Sequence, residues 1–151
     1  MRSHVLLLLA ISPVLGAEPQ KQDAVTQEQK RLQGTWLLVG REFDGEKATK
    51  DTIADLGGKW VVFEGKVSVA YKKDLDSRGW TFKLDPAAKP KAVDLTAADG
   101  NDKGQVFLGV YELKGDKLRV CYGSPKGKRP TGFDTKKDDG HVCLEFERAK
   151  E

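Results

Sequence analysis

"GVYELKGDKLRVCYG", residues 109–123, alternates apolar and polar side chains on both sides of Gly115 and Asp116. Alternation with a period of two marks a strand that buries one face. A Gly-Asp pair between two such runs makes a two-residue hairpin turn, because glycine takes positive φ without steric cost. Pairing outward from this turn sets Leu113 opposite Leu118, Tyr111 opposite Val120 and Gly109 opposite Tyr122, which gives one apolar, aromatic face. The other face sets Glu112 against Arg119, a cross-strand ion pair worth about 0.2–1 kcal/mol.

The same alternation, broken by Gly, Asp, Lys and Pro clusters, recurs from Thr35 onward and predicts an antiparallel all-β domain. Strands are expected near 35–43, 59–64, 67–73, 78–84, 91–96, 105–113, 117–123 and 141–148. "TKDTIADLGG", 49–58, is the one helical segment within the domain, with Thr49 or Asp51 as N-cap and Gly57 as C-cap. Trp60, Trp80, Phe82, Phe107, Tyr111, Tyr122 and Phe146 are spread over most of the strands, as a shared interior requires. Such strands hide their apolar faces either in a two-sheet sandwich or by closing into a barrel, and their order leaves both open. In "HVCLEFER", 141–148, the apolar face carries Val142, Leu144, Phe146 and also Arg148, a charge that needs a partner.

The chain opens with Arg2 and His4, the apolar run Val5 to Leu15, and small residues at Gly16 and Ala17. That order is the pattern of a secretory signal peptide, so residues 1–17 are expected to be a leader and the protein to be periplasmic or extracellular. The run is too short to span a bilayer comfortably, and no later stretch comes near the length needed, so no membrane span is expected. Residues 18–30 read as a polar linker or a short helix capped by Asp23, and 31–151 as one domain. With 26 basic against 23 acidic side chains, spread along the chain, there is no stripe for a nucleic-acid backbone. Cys121 and Cys143 both fall on outward faces of the last two strands, and an exported chain permits one disulfide between them. The long connection between those strands leaves their register free, so a pair of semi-buried thiols stays open as the alternative.

"LQGTW", 32–36, is similar to the G-x-W motif of lipocalins. Together with "FKLDPAAKPKAVDLT" (82–96), "GVYELKGDKLRVCY" (109–122) and "KRPTGF" (128–133), the chain resembles a lipocalin-like domain family of exported, uncharacterised proteins abundant in planctomycete bacteria. The resemblance implies an eight-stranded antiparallel up-and-down barrel with one short helix after the first strand. It implies that Gly34 and Trp36 open the first strand, with the Trp plugging the closed end and Arg148 packed across its ring. A guanidinium over an indole is a favourable cation–π arrangement and accounts for a charge on the apolar face. Gly132 stands where that family's pattern leads one to expect an acidic residue, so no carboxylate role transfers to that loop. No activity comes with the resemblance.

His141 is the sole histidine after the leader, with Ser124 and Asp134 as conceivable triad partners, but no serine sits in a G-x-S-x-G context. No catalysis is expected. "DGND" (99–102) and "DTKKDDGH" (134–141) lack the spacing of calcium or zinc sites and read as turns, so neither metal nor cofactor is expected. "GSPKGKRPTGFDTKKDDG", 123–140, is long for a connection in a compact domain. Its basic half, Lys126 to Arg129, offers cations to an anionic partner, and Phe133 suggests anchoring. The remaining candidate is the interior, where Trp80, Phe82, Phe107, Tyr111, Tyr122 and Phe146 either line a pocket or fill it. The expected function is binding of a small apolar or amphiphilic ligand in the barrel. The alternative is a protein-interaction or inhibitor-like module that uses the 123–140 loop on a filled barrel.

Overall fold

The computed structural model describes residues 18–72 and 74–150; the expected leader, residues 1–17, lies outside them. The elements are α1 (Glu18–Leu32), β1 (Gly34–Phe43), β2 (Glu46–Lys47), α2 (Lys50–Leu56), β3 (Lys59–Phe63), β4 (Lys66–Tyr71), β5 (Asp74–Asp85), β6 (Ala92–Ala97), β7 (Val106–Lys114), β8 (Lys117–Tyr122) and β9 (Val142–Arg148). From β3 to β9 each strand pairs antiparallel with the next, and β1 pairs with both β3 and β9. The β1–β9 seam decides between sandwich and barrel: the sheet closes into an eight-stranded up-and-down barrel. The two-residue β2 is an addition hooked onto the end of β1.

The β7–β8 register is the one counted from the Gly115-Asp116 turn, with Gly115 at φ 56°. α2 starts at Thr49, whose hydroxyl accepts from the Thr52 N–H at 3.2 Å. It ends at Gly57, a left-handed residue whose N–H returns to the Ile53 carbonyl. Ile53 is its buried anchor, and Leu56 packs beside it against the core.

The polar segment before the barrel is a full helix, and Asp23 lies inside it, not at its cap. Of its described side chains only Glu28 and Leu32 are buried. Both turn into the narrow end of the barrel. The Leu32 carbonyl accepts the Trp36 Nε1–H at 2.8 Å, and Trp36 is fully buried. Arg148 lies 4.2 Å above the centroid of the Trp36 ring. Its guanidinium also donates to the Gln33 and Arg31 carbonyls at 2.7 and 2.8 Å and to Asp116 at 3.1 Å, so it satisfies carbonyls left over at the end of α1. Gly34 belongs to this junction for two reasons. Its φ of 119° disfavours any side chain, and a Cβ there would stand 3.1 Å from the Arg148 guanidinium.

Glu28 completes the plug. Its carboxylate accepts from Tyr111 Oη at 3.0 Å and from Arg31 at 2.7 Å, with Lys91 Nζ 3.1 Å away. Burial alone would raise its pKa, but the hydrogen bonds from Lys91 and Tyr111 and the charges of Lys91 and Arg31 outweigh it and hold the carboxyl below its ordinary value.

The outer face carries a second, smaller cluster. Cys121 and Cys143 are directly opposed on β8 and β9 and are disulfide-bonded, with Cα atoms 4.0 Å apart. Val110 and Phe133 pack against the pair, and the Arg119 guanidinium covers the Phe133 ring at 4.5 Å. The 123–140 connection is therefore a strap laid on the barrel. Arg129 ties it down through the carbonyls of Val93 and Gly109 and the carboxylate of Asp94, and Thr135 ties it through Glu42 and the Gly45 N–H.

Candidate functional site

The barrel is filled at one end and hollow at the other. Around the α1 plug the interior is packed by large rings, Trp60 and Phe146 meeting at 4.6 Å between centroids, and only an apolar crevice of about 30 Å³ remains. At the opposite, wide end a cavity of about 330 Å³ is walled by Trp60, Val67, Val69, Tyr71, Arg78, Trp80, Leu95 and Tyr122. Phe107 stands behind this wall, edge-on to Trp80 at 5.1 Å and to Tyr122 at 6.2 Å, and so fixes the angle of both rings. Burial pushes the Tyr122 phenol up to about 12, with Tyr71 adding to the rise and Arg41 opposing it. The hydroxyl is therefore neutral at physiological pH.

The six aromatic residues expected inside divide by position. Trp80 and Tyr122 line the wide cavity, while Phe82 and Tyr111 line the crevice at the plug. Phe107 and Phe146 are structural fill, not lining of either space. Tyr111 offers no anchor to a ligand because its hydroxyl is engaged by Glu28; burial and that carboxylate raise its pKa.

Strict alternation fails at one place that matters. A β-bulge between Leu38 and Gly40 shifts β1 against β9 by one residue. Beyond it, Arg41 is opposite the buried Leu144 and Phe43 opposite Val142, so both take the inward parity at the wide end, Arg41 half-buried and Phe43 exposed at the rim. Glu42 faces outward, as its bond to the strap residue Thr135 requires. The sequence reading did not single out Arg41 or Arg78. Arg78 shares the parity of Trp80 along β5 and was open to that count, whereas Arg41 was hidden by the bulge.

Residues weighed for chemistry do not assemble. The carboxylate beside His141 is Asp139, with Nδ1 3.3 Å from its oxygen, and Asp134 is not its partner. Among the described residues no hydrogen bond joins Ser124 to His141, and no group of three or more His, Cys, Asp or Glu is placed to hold a metal. No helix among them is long and apolar enough to cross a membrane. A larger cleft of about 560 Å³ lies outside the barrel, between the strap and the β5–β6 turn. Its most prominent cation, Arg129, is already occupied by Asp94 and two carbonyls.

Fold and site together define a lipocalin-like all-β barrel with one hollow end. Compared with known proteins, the chain matches no family model and no curated protein.

Proposed function

We propose that this protein is an exported lipocalin-like carrier, of the planctomycete family its sequence resembles, which holds one small apolar or amphiphilic molecule and performs no reaction on it. The observation that carries the reading is the wide-end cavity of about 330 Å³, walled by aromatic and aliphatic side chains with a few polar groups. That is the size and make-up of a small-molecule pocket. An eight-stranded barrel whose side chains only fill it leaves no such space. Ligand burial is driven by apolar area, about 25 cal/mol per Å² removed from water, less the cost of ordering the complex. The bonded Cys121–Cys143 pair supports export, since such bonds persist in oxidising compartments. The strap speaks for the carrier over the protein-interaction module, because Arg129, Phe133 and Thr135 are turned onto the barrel.

Native mass spectrometry of the purified protein, followed by solvent extraction, tests this. A protein of intact mass plus one small molecule is the expected result, or, after stripping, one-to-one binding of the neutral fluorophore N-phenyl-1-naphthylamine with quenching of tryptophan fluorescence. A stripped protein that binds neither this probe nor fatty acids nor haem overturns the reading.

A further inference from the structure

Six arginines lie among the described residues, and four of them have a carboxylate partner: Arg31 with Glu28, Arg119 with Glu112, Arg129 with Asp94 and Arg148 with Asp116. The two without one are Arg41 and Arg78. Both belong to the wide end. Arg78 forms part of the cavity wall and is opposite the buried Val69 on β4. Arg41 enters from β1, turned inward by the bulge, half-buried above Leu144 and resting near the Phe43 ring at 5.7 Å. Going round the barrel, β1 and β5 are separated by β3 and β4 on one side, so the two guanidiniums approach the mouth from well-separated walls.

Arg78 is exposed at the rim, whereas Arg41 is half-buried and has lost part of its hydration, which a carboxylate usually replaces. Among the described residues, two carboxylates beside these strands are otherwise engaged. Asp99 accepts the Gly79 N–H at 2.8 Å, and Asp139 holds His141 and the Lys136 N–H. Tyr122 adds a neutral hydroxyl to the same wall.

We propose that the wide end selects organic anions, with the acidic head seated between Arg41 and Arg78 and the apolar body against Trp60, Trp80 and Leu95. This rests on the carrier reading of the same cavity and names the class of cargo. A carboxylate, sulfonate or phosphate head gains charge-assisted hydrogen bonds that a hydroxyl or amide head does not. The preference falls as salt screens the pair.

Two probes with the same pair of ring systems separate the cases. N-phenyl-1-naphthylamine is neutral, and 8-anilinonaphthalene-1-sulfonate carries an anion. On the stripped protein at pH 7 the sulfonate is expected to bind at least about tenfold more tightly than the neutral probe. Arg41→Met/Arg78→Met is expected to erase that preference, bringing the sulfonate-to-neutral affinity ratio to about one, while a cooperative urea transition near the wild-type midpoint reports that the barrel is intact. Decanoate is expected to displace the neutral probe at lower concentration than 1-decanol. Equal affinity of the two probes for the wild type, or a preference that survives in the double variant, overturns the anion assignment. If the double variant fails to fold, the wild-type decanoate and decanol comparison decides alone. Failure of every probe to bind overturns the carrier reading itself.

Discussion

Removing the Trp36 ring is the sharpest test of how the narrow end is held. Trp36 is completely buried, and truncation to Ala costs about 3–5 kcal/mol for the lost ring and the cavity it leaves. It also strips the Leu32 carbonyl of the donor now 2.8 Å away, a penalty of about 1–3 kcal/mol for a buried acceptor left unpaired. Arg148 loses the ring beneath it but keeps its bonds to the Arg31 and Gln33 carbonyls, so the helix stays attached. These contributions share one site and do not simply add. We expect Trp36→Ala to lose about 4–6 kcal/mol and Trp36→Phe, which keeps an aromatic body but no N–H, to lose about 1–3 kcal/mol. Urea unfolding followed by the fluorescence of Trp60 and Trp80 measures both, provided the slope is unchanged. A Trp36→Ala protein within about 1 kcal/mol of wild type refutes the plug.

Three further outcomes follow from other contacts. Cys121→Ala/Cys143→Ala opens a loop with a sequence separation of 22 and is expected to cost about 3 kcal/mol, read as a lower urea midpoint under oxidising conditions and no difference from wild type under strong reductant. Glu28 has a depressed pKa, so its contribution is complete above the ordinary glutamate value of 4.5 and is lost as pH falls through the lower folded value. Wild type should therefore lose stability below pH 4.5 more steeply than Glu28→Gln, and parallel pH profiles would show that the plug carboxylate does not contribute. Arg129→Met removes three strap contacts, and trypsin should cut after Lys126 and Lys128 about tenfold faster or more, while the global unfolding midpoint moves little.

Much of the barrel is written in its alternation and turns. The Gly115-Asp116 hairpin, the capped helix after the first strand and the outward face of both cysteines follow from counting alone. That the cysteines are directly opposed does not, because the intervening connection can set any register. α1 was legible only as one of two alternatives, a linker or a short helix capped by Asp23, for a different reason: a helix that buries one carboxylate and one leucine shows no apolar stripe, and its stability comes from contacts distant in sequence. The candidate site was half legible. Trp80 and Tyr122 sit where alternation puts them, but nothing local in "LLVGREF" announces that one residue bulges out and reverses the facing of Arg41. The hollow end was not legible either, since cavity volume depends on how rings from several strands tilt against each other.

The seam between β1 and β9 also has a kinetic meaning. It joins the first strand to the last, so none of its hydrogen bonds can form until β9 has been made and brought round. Until then β1 and β9 are open edges, and the exposed Leu37, Val39, Val61 and Phe63 lie beside one of them. Every other neighbouring pair in the barrel closes a shorter stretch of chain than this one. Non-local closure of this kind places folding in the slow range, milliseconds to seconds, and leaves a curled, edge-bearing intermediate prone to pairing with its own copies. The same strand that completes the wall delivers Arg148 to Trp36 and Cys143 to Cys121, so closure, plug and staple arrive in one event.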